Sequence, residues 1–374
     1  MNGFTRNIIR LIHRLCPKRN HAILWGWPDY EDSVIALELA LRESNVTRTV
    51  LLMSNTQSSP PCPFGQQTLC VKKNSLAGLL WFCSARYVFF THPCFTRNFP
   101  PDVISVNVWH GMPFKKIGWL MSGDEGIRCR YTLATSPFWG DIMERAMKPQ
   151  GEILAVGLPR NDRLFCDRDS VMDKLNLDSS IRLFAWLPTY RKSVRGFPRT
   201  DGIETGSVFG MPDVDPYELN EFLKARGAFL LVKPHPMAAF EEQRAWSNLI
   251  VVDESWFKER SLSLYELLGA TDLLISDISS VVIDYLLLDR PIIHAFCDLE
   301  KYETSRGFTV EPIRDYFVGP VVTEAQQLYQ ALDRAIGGDD TMSVRRRDIA
   351  RLSHRHLDAG ATSRLLDAIG LRES

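Results

Sequence analysis

Val106-Asn107-Val108-Trp109-His110-Gly111-Met112-Pro113-Phe114-Lys115-Lys116 reads as an apolar strand that runs straight into a histidine, a glycine and two cations. In an open parallel sheet, ligands bind beyond the carboxyl ends of the strands. A histidine delivered there is available for chemistry. A neutral imidazole near pH 7 can take a proton from an attacking alcohol. Gly111 allows close approach of a ligand to the backbone, and Lys115 adds positive charge about a turn away. The bland alternative is a histidine hydrogen-bonded at a strand end for packing alone. The Gly, Pro and Lys that accompany His110 weigh against it.

The same pattern recurs further along the chain. Leu230-Leu-Val-Lys233-Pro234-His235-Pro236 again delivers a cation and a histidine to a strand end, and two prolines restrict the backbone around His235. Thr271-Asp272-Leu-Leu-Ile-Ser276-Asp277-Ile-Ser279-Ser280 runs from a buried strand into a helix start. Unpaired N–H groups and the helix dipole favour an anion there, with ordinary N-capping as the alternative. Gly157-Leu-Pro-Arg160-Asn-Asp162 places an Arg in a turn. Pro188-Thr189-Tyr-Arg191 ends another strand with a hydroxyl and a guanidinium suited to phosphate. Arg306-Gly307-Phe308 adds a further cation. Any one of these could be a plain loop, but packing alone accounts poorly for the set.

Around these segments, short apolar runs alternate with helical patterns, which implies α/β organisation with parallel sheets. Strands are expected at His21–Gly26, Arg48–Met53, Ala85–Phe90, Val103–Trp109, Arg182–Leu187, Phe229–Val232, Leu249–Val252, Leu273–Ile275 and Pro291–Ala295. Helices are expected at Ser33–Leu41 with Ser33 as N-cap, Asp215–Arg226, Leu264–Leu268, Val281–Leu288 and Ala325–Ile336, with a long last one near Val344–Ile369. Two alternating halves suit 374 residues. The expected organisation is a contact segment at 1–20, one Rossmann-like domain at 21–168, a second at 169–343, and a helix at 344–374 that crosses back to the first. The Gly/Pro-rich tract 193–216 reads as a functional lid or a disordered loop.

Composition narrows the class. A formal net charge of −1 gives no bulk attraction to nucleic acid. The eight cysteines form no C-x-x-C pair and suit free thiols in a reducing compartment. No apolar run reaches the roughly 20 residues of a membrane span; Leu79–Phe90 comes closest, interrupted by Ser84 and Arg86. No signal peptide is evident, so the cell interior is expected. Phe4, Ile8, Leu11, Ile12 and Leu15 recur at helical spacing among Arg6, Arg10, Arg14, Lys18 and Arg19. That pattern suits a helix lying on an anionic membrane, or else a first helix packed on the fold. No carboxylate cluster is arranged to hold Mg²⁺ on a diphosphate, so the sequence requires no metal or other cofactor.

Taken in order, these motifs resemble the CDP-glycerol glycerophosphotransferases of teichoic acid and capsule synthesis. To those above they add Arg290-Pro291, Asp298-Leu-Glu-Lys-Tyr302 and Gly319-Pro320, and the likeness runs from about Ile23 to Leu332. The resemblance implies a GT-B-like fold, two Rossmann-like domains facing a central cleft, with acceptor binding in the first and CDP-donor binding in the second. It implies an enzyme that moves glycerol phosphate from CDP-glycerol, or another CDP-polyol such as CDP-ribitol, to a lipid-linked polymer acceptor. The products include CMP, and the place is the cytoplasmic face of the membrane. By motif, His110 matches the proposed base, and His235 with Ser279 and Ser280 the donor-phosphate site. Gly111, Lys115, Arg160, Thr189, Arg191, Lys233, Pro234, Ser276, Asp277, Asp284 and Arg306 are the remaining expected substrate-binding residues. The short chain suits a primase or a compact polymerase. A nucleotide-sugar glycosyltransferase and a non-catalytic scaffold are the rival readings.

Overall fold

A computed structural model describes residues 3–56, 64–121, 127–189, 207–234 and 246–372. The chain forms two compact units. One comprises Met1–Met112, Ile117–Phe165 and Leu352–Ser374; the other comprises Pro113–Lys116 and Cys166–Arg351.

The first unit is built on strands β1 (Arg19–Trp25), β2 (Arg48–Met53), β3 (Thr68–Lys72), β4 (Ala85–Phe90), β5 (Ile104–Asn107), β6 (Tyr131–Leu133) and β7 (Glu152–Leu154). They lie in the order β3-β2-β1-β4-β5-β6-β7, every neighbouring pair parallel. The second unit uses β8 (Arg182–Leu187), β9 (Ala228–Val232), β10 (Leu249–Val251), β11 (Leu273–Ser276), β12 (Ile292–Ala295) and β13 (Val321–Val322). Its order is β10-β9-β8-β11-β12-β13, again all parallel. Both are doubly wound sheets. Their order reverses between β1 and β4 in the first and between β8 and β11 in the second, the points where such sheets bind ligands.

The central strands are apolar along their length because helices cover both faces. Ala22, Ile23 and Leu24 of β1 and all five residues of β9 are buried. Each such Leu, Ile or Phe contributes about 1.5–3 kcal/mol on burial. β3, β6, β7 and the helices Leu76–Ser84 and Pro137–Met147 were not expected from the sequence. β6 and β7 have three residues each, too few for a period to register.

The expected strand Ala85–Phe90 is β4, and the apolar residues before it form a helix, with Ser75 capping it through the Gly78 N–H at 3.0 Å. Two expectations are corrected. The helix Asp32–Leu41 is capped by Glu31, whose carboxylate accepts from the Ser33 N–H at 3.0 Å; Ser33 itself is inside. The long last helix is two, Ser343–Ser353 and Ala361–Ala368, because Asp358 turns the chain by accepting the Gly360 N–H at 2.9 Å. Of the cysteines, Cys70 and Cys297 are exposed.

Candidate active site

In the first unit, β4 and β5 lie side by side with Phe90 opposite Asn107, so the residues just beyond them meet. Thr91 and His92 leave β4; Trp109, His110 and Gly111 come after β5. The second chain turns sharply. Trp109 has φ 60° and Gly111 φ 119°. Left-handed backbone at a bulky residue costs about 1–3 kcal/mol and persists only where the surroundings enforce it. The turn brings the Trp109 ring onto His110, with centroids 4.1 Å apart.

Thr91 sets both imidazoles. Its carbonyl accepts from His110 Nδ1 at 3.0 Å, and its hydroxyl pairs with His92 Nδ1 at 3.0 Å. A carbonyl can only accept, so His110 carries its hydrogen on Nδ1. In the neutral ring Nε2 is then the basic nitrogen. Burial pushes the His92 imidazole down to about 2, with His110 and Lys73 adding to the effect. Lys73 is itself buried, donating to Gly26 O and to Asp29, each at 2.6 Å.

Arg160 lies elsewhere in this unit. The structure corrects its expected exposure: it is buried, 3.8 Å from Glu31. Burial pushes the Glu31 carboxyl up to about 7, against the pull of Arg160. Two residues on, Asp162 accepts the N–H groups of Ala361 and Thr362, both at 2.8 Å. The Gly157–Asp162 turn therefore docks the helix Ala361–Ala368.

In the second unit the order of strands reverses where β8 ends in Leu187 and β11 in Ser276. Asp277 holds this point together. Its buried carboxylate accepts from both the N–H and the hydroxyl of Thr189. Ser276 donates to Leu187 O at 2.7 Å, and Asp284 accepts from the Tyr265 hydroxyl at 2.6 Å, with Ser276 and Asp284 both fully buried. Both side chains therefore make internal bonds at this point of the sheet. Ser279 and Ser280 are half-buried beyond β11, and Ser280 makes no side-chain cap bond to the helix Val281–Tyr285. Lys233, beside Pro234 at the end of β9, pairs with Glu254 at 2.9 Å. Lys115 lies over the Tyr302 ring at 5.8 Å, and Arg306 Nε donates to Lys116 O at 2.9 Å. Pro113–Lys116 thereby belongs to the second unit, although His110 and Gly111 belong to the first. Arg191 and His235 lie outside the described residues.

Sequence reasoning missed Thr91, His92, Glu31 and Lys73. The signal for His92 is present: Ala85–Phe90 reads as a strand, and Thr91-His92-Pro93 comes directly after it, as His235 comes after β9.

Two doubly wound units with hydroxyls, cations and an oriented histidine at their carboxyl edges define the GT-B-like class. The chain belongs to the CDP-Glycerol:Poly(glycerophosphate) glycerophosphotransferase family, whose model matches residues 8–371. It is 28% identical to the teichoic acid ribitol-phosphate polymerase TarK of Staphylococcus aureus over 271 residues, 67% of this chain and 50% of that protein. It is 29% identical to the teichoic acid glycerol-phosphate primase of Bacillus spizizenii over 227 residues, 55% of this chain and 54% of that protein. The chain spans about half the length of these curated relatives. The solved wall teichoic acid polymerase TagF, as a His-to-Asn variant soaked with CDPG, shares the fold. Its TM-score is 0.77 at 22% identity, covering 98% of this chain and 92% of that one.

Proposed function

We propose that this chain transfers glycerol phosphate from CDP-glycerol to a hydroxyl of a lipid-linked acceptor in teichoic acid or capsule-type polymer synthesis. The observation that carries the reading is His110, whose Nδ1–H is engaged by the Thr91 carbonyl so that Nε2 is the basic atom. The acceptor oxygen bonds to the phosphorus that bears glycerol, and its proton passes to His110 Nε2. The bond from that phosphorus to the CMP oxygen breaks, and CMP leaves with the electron pair. Positioning and charge stabilisation supply most of the rate in such transfers. On the donor side the half-buried hydroxyls of Ser279 and Ser280, together with Lys233, Arg191 and His235, bind the diphosphate. No cofactor enters the scheme.

Ribitol phosphate is the second reading of the donor, because a ribitol-phosphate polymerase is as similar to this chain as a glycerol-phosphate primase. The test is CMP release from CDP-glycerol and from CDP-ribitol with a lipid-linked acceptor analogue, for the wild type and His110→Ala. The substitution is expected to cost about 10²–10⁴-fold in kcat, the usual contribution of a general base. Near-normal turnover in the folded variant would refute the base. Absence of CMP release from both donors would refute the transfer.

The reading places the enzyme on a membrane surface. No helix among the described residues is long and apolar enough to cross one. The helix Gly3–Leu15 buries Ile9 and His13 and exposes Ile8, Leu11, Ile12 and Leu15. It packs beside Leu76–Ser84, which exposes Leu76 and Leu80. Exposed Arg10, Arg14 and Arg19 flank this apolar face, the composition of an interfacial helix.

A further inference from the structure

His110 is held on both faces. The His92 ring lies parallel to it, with centroids 4.2 Å apart and planes 9° apart. The Trp109 ring lies 4.1 Å away at 29°. Two rings at those distances cannot occupy the same face without overlapping, so His110 is sandwiched between them. Neither partner is placed loosely. His92 is tied to the Thr91 hydroxyl and meets the Trp27 ring edge-on at 5.5 Å. Trp109 is placed by a left-handed turn.

We propose that His92 is a positioning residue for His110: its stacked ring fixes the plane of the imidazole and holds it in the unprotonated, proton-accepting form. The inference rests on the reading of His110 as the base. Two imidazoles stacked this closely repel one another when both are charged, and a neutral ring over one face removes water that would solvate an imidazolium. Lys73, from the loop after β3, opposes protonation of His92. Asp29, from the loop after β1, is paired with that lysine at 2.6 Å. Thr91 on β4's exit and Trp109 on β5's exit bring no charge. His92 stays neutral, so it covers His110 without competing for the proton.

The test compares His92→Ala and His92→Phe with the wild type. The Ala variant is expected to lose roughly 10- to 100-fold in kcat with little change in KM for the CDP donor, the scale of a misplaced catalytic group. Its acid limb in kcat/KM should move to higher pH, because a better-hydrated His110 takes a proton more readily. The Phe variant keeps a flat ring and should recover most of kcat. An NMR titration of the His110 ring protons reads the same shift without turnover: the pKa should rise in the Ala variant and return toward wild type in the Phe variant. If neither variant changes kcat or the His110 titration, or if Phe fails to rescue a folded protein, the proposal is overturned. Full activity of His110→Ala would instead overturn the underlying assignment, and the NMR arm would still decide whether His92 controls the ring.

Discussion

His294 lies inside β12 with both ring nitrogens engaged. Its Nε2 accepts from the Val318 N–H at 3.2 Å, which places the hydrogen on Nδ1, where it is donated to Asp277 O at 3.1 Å. Burial pushes this imidazole down to about 4. His110 shares the carbonyl-held Nδ1 but stands half-exposed beyond its strand. The same side chain is therefore a structural tie in one unit and a candidate base in the other. The buried one carries a pH signature. The unfolded chain takes up the proton near 6.5, whereas the folded one resists until about 4, so stability falls as pH drops through that window. We expect the stability gap between wild type and His294→Gln to narrow as pH is lowered from about 6.5 toward 4. Thermal midpoints across that range check this, and a gap independent of pH would contradict it.

At the level of elements, most of the candidate site consists of residues placed immediately after a strand. β4 delivers Thr91 and His92, β5 delivers Trp109 and His110, β8 delivers Thr189, and β11 delivers Asp277, Ser279 and Ser280. Between these ends, Asp277 binds Thr189 and Ser276 binds Leu187 O, so β8 and β11 are fastened where the sheet order reverses. The Gly157–Asp162 turn has a different task, capping the helix Ala361–Ala368 through Asp162. Asp162→Ala should lower stability by about 0.5–2 kcal/mol, the usual cost of a lost N-cap. Asp162→Asn, which keeps an acceptor, should lose less, and KM for the donor should stay near wild type in both. Denaturant titration and steady-state kinetics measure the two effects. A stable Ala variant with a raised donor KM would return this turn to the binding site.

The whole molecule must reach a lipid-linked acceptor if the proposed reaction is right. Its exposed apolar face at Gly3–Leu15 and Leu76–Ser84 is the element suited to that. Lys18, read from sequence as one of the surface cations, instead donates to the carbonyls of His13 and Cys83, the latter at 2.8 Å. The electrostatic share of binding then falls to the arginines, each contributing about 1 kcal/mol near an anionic leaflet and screened by salt. The protein is expected to sediment with anionic vesicles at low salt, less so at high salt. Deleting residues 1–19 should weaken this and reduce activity on a lipid-linked acceptor more than on a soluble analogue. Undiminished vesicle binding by the deleted protein would show that the helix only packs on the fold through Ile9 and His13.

Strand identity was legible in the sequence because a parallel strand buried on both faces must be apolar throughout, as in Leu230-Leu-Val and Leu273-Leu-Ile. The position of His110 was legible too, since the apolar run before it gives way to a Gly and then a Pro, which do not continue a central strand. The three-residue strands were not, because they are too short for a period to register. The burial of Arg160 and the docking of Ala361–Ala368 were not, because each depends on a partner distant in sequence: Glu31 for Arg160, Asp162 for the last helix. Tertiary structure alone decided which polar residues are bonded inside, as Ser276 and Asp284 are. It also decided that His92 lies on His110: two histidines 18 positions apart meet only because β4 and β5 pair in parallel with Phe90 opposite Asn107.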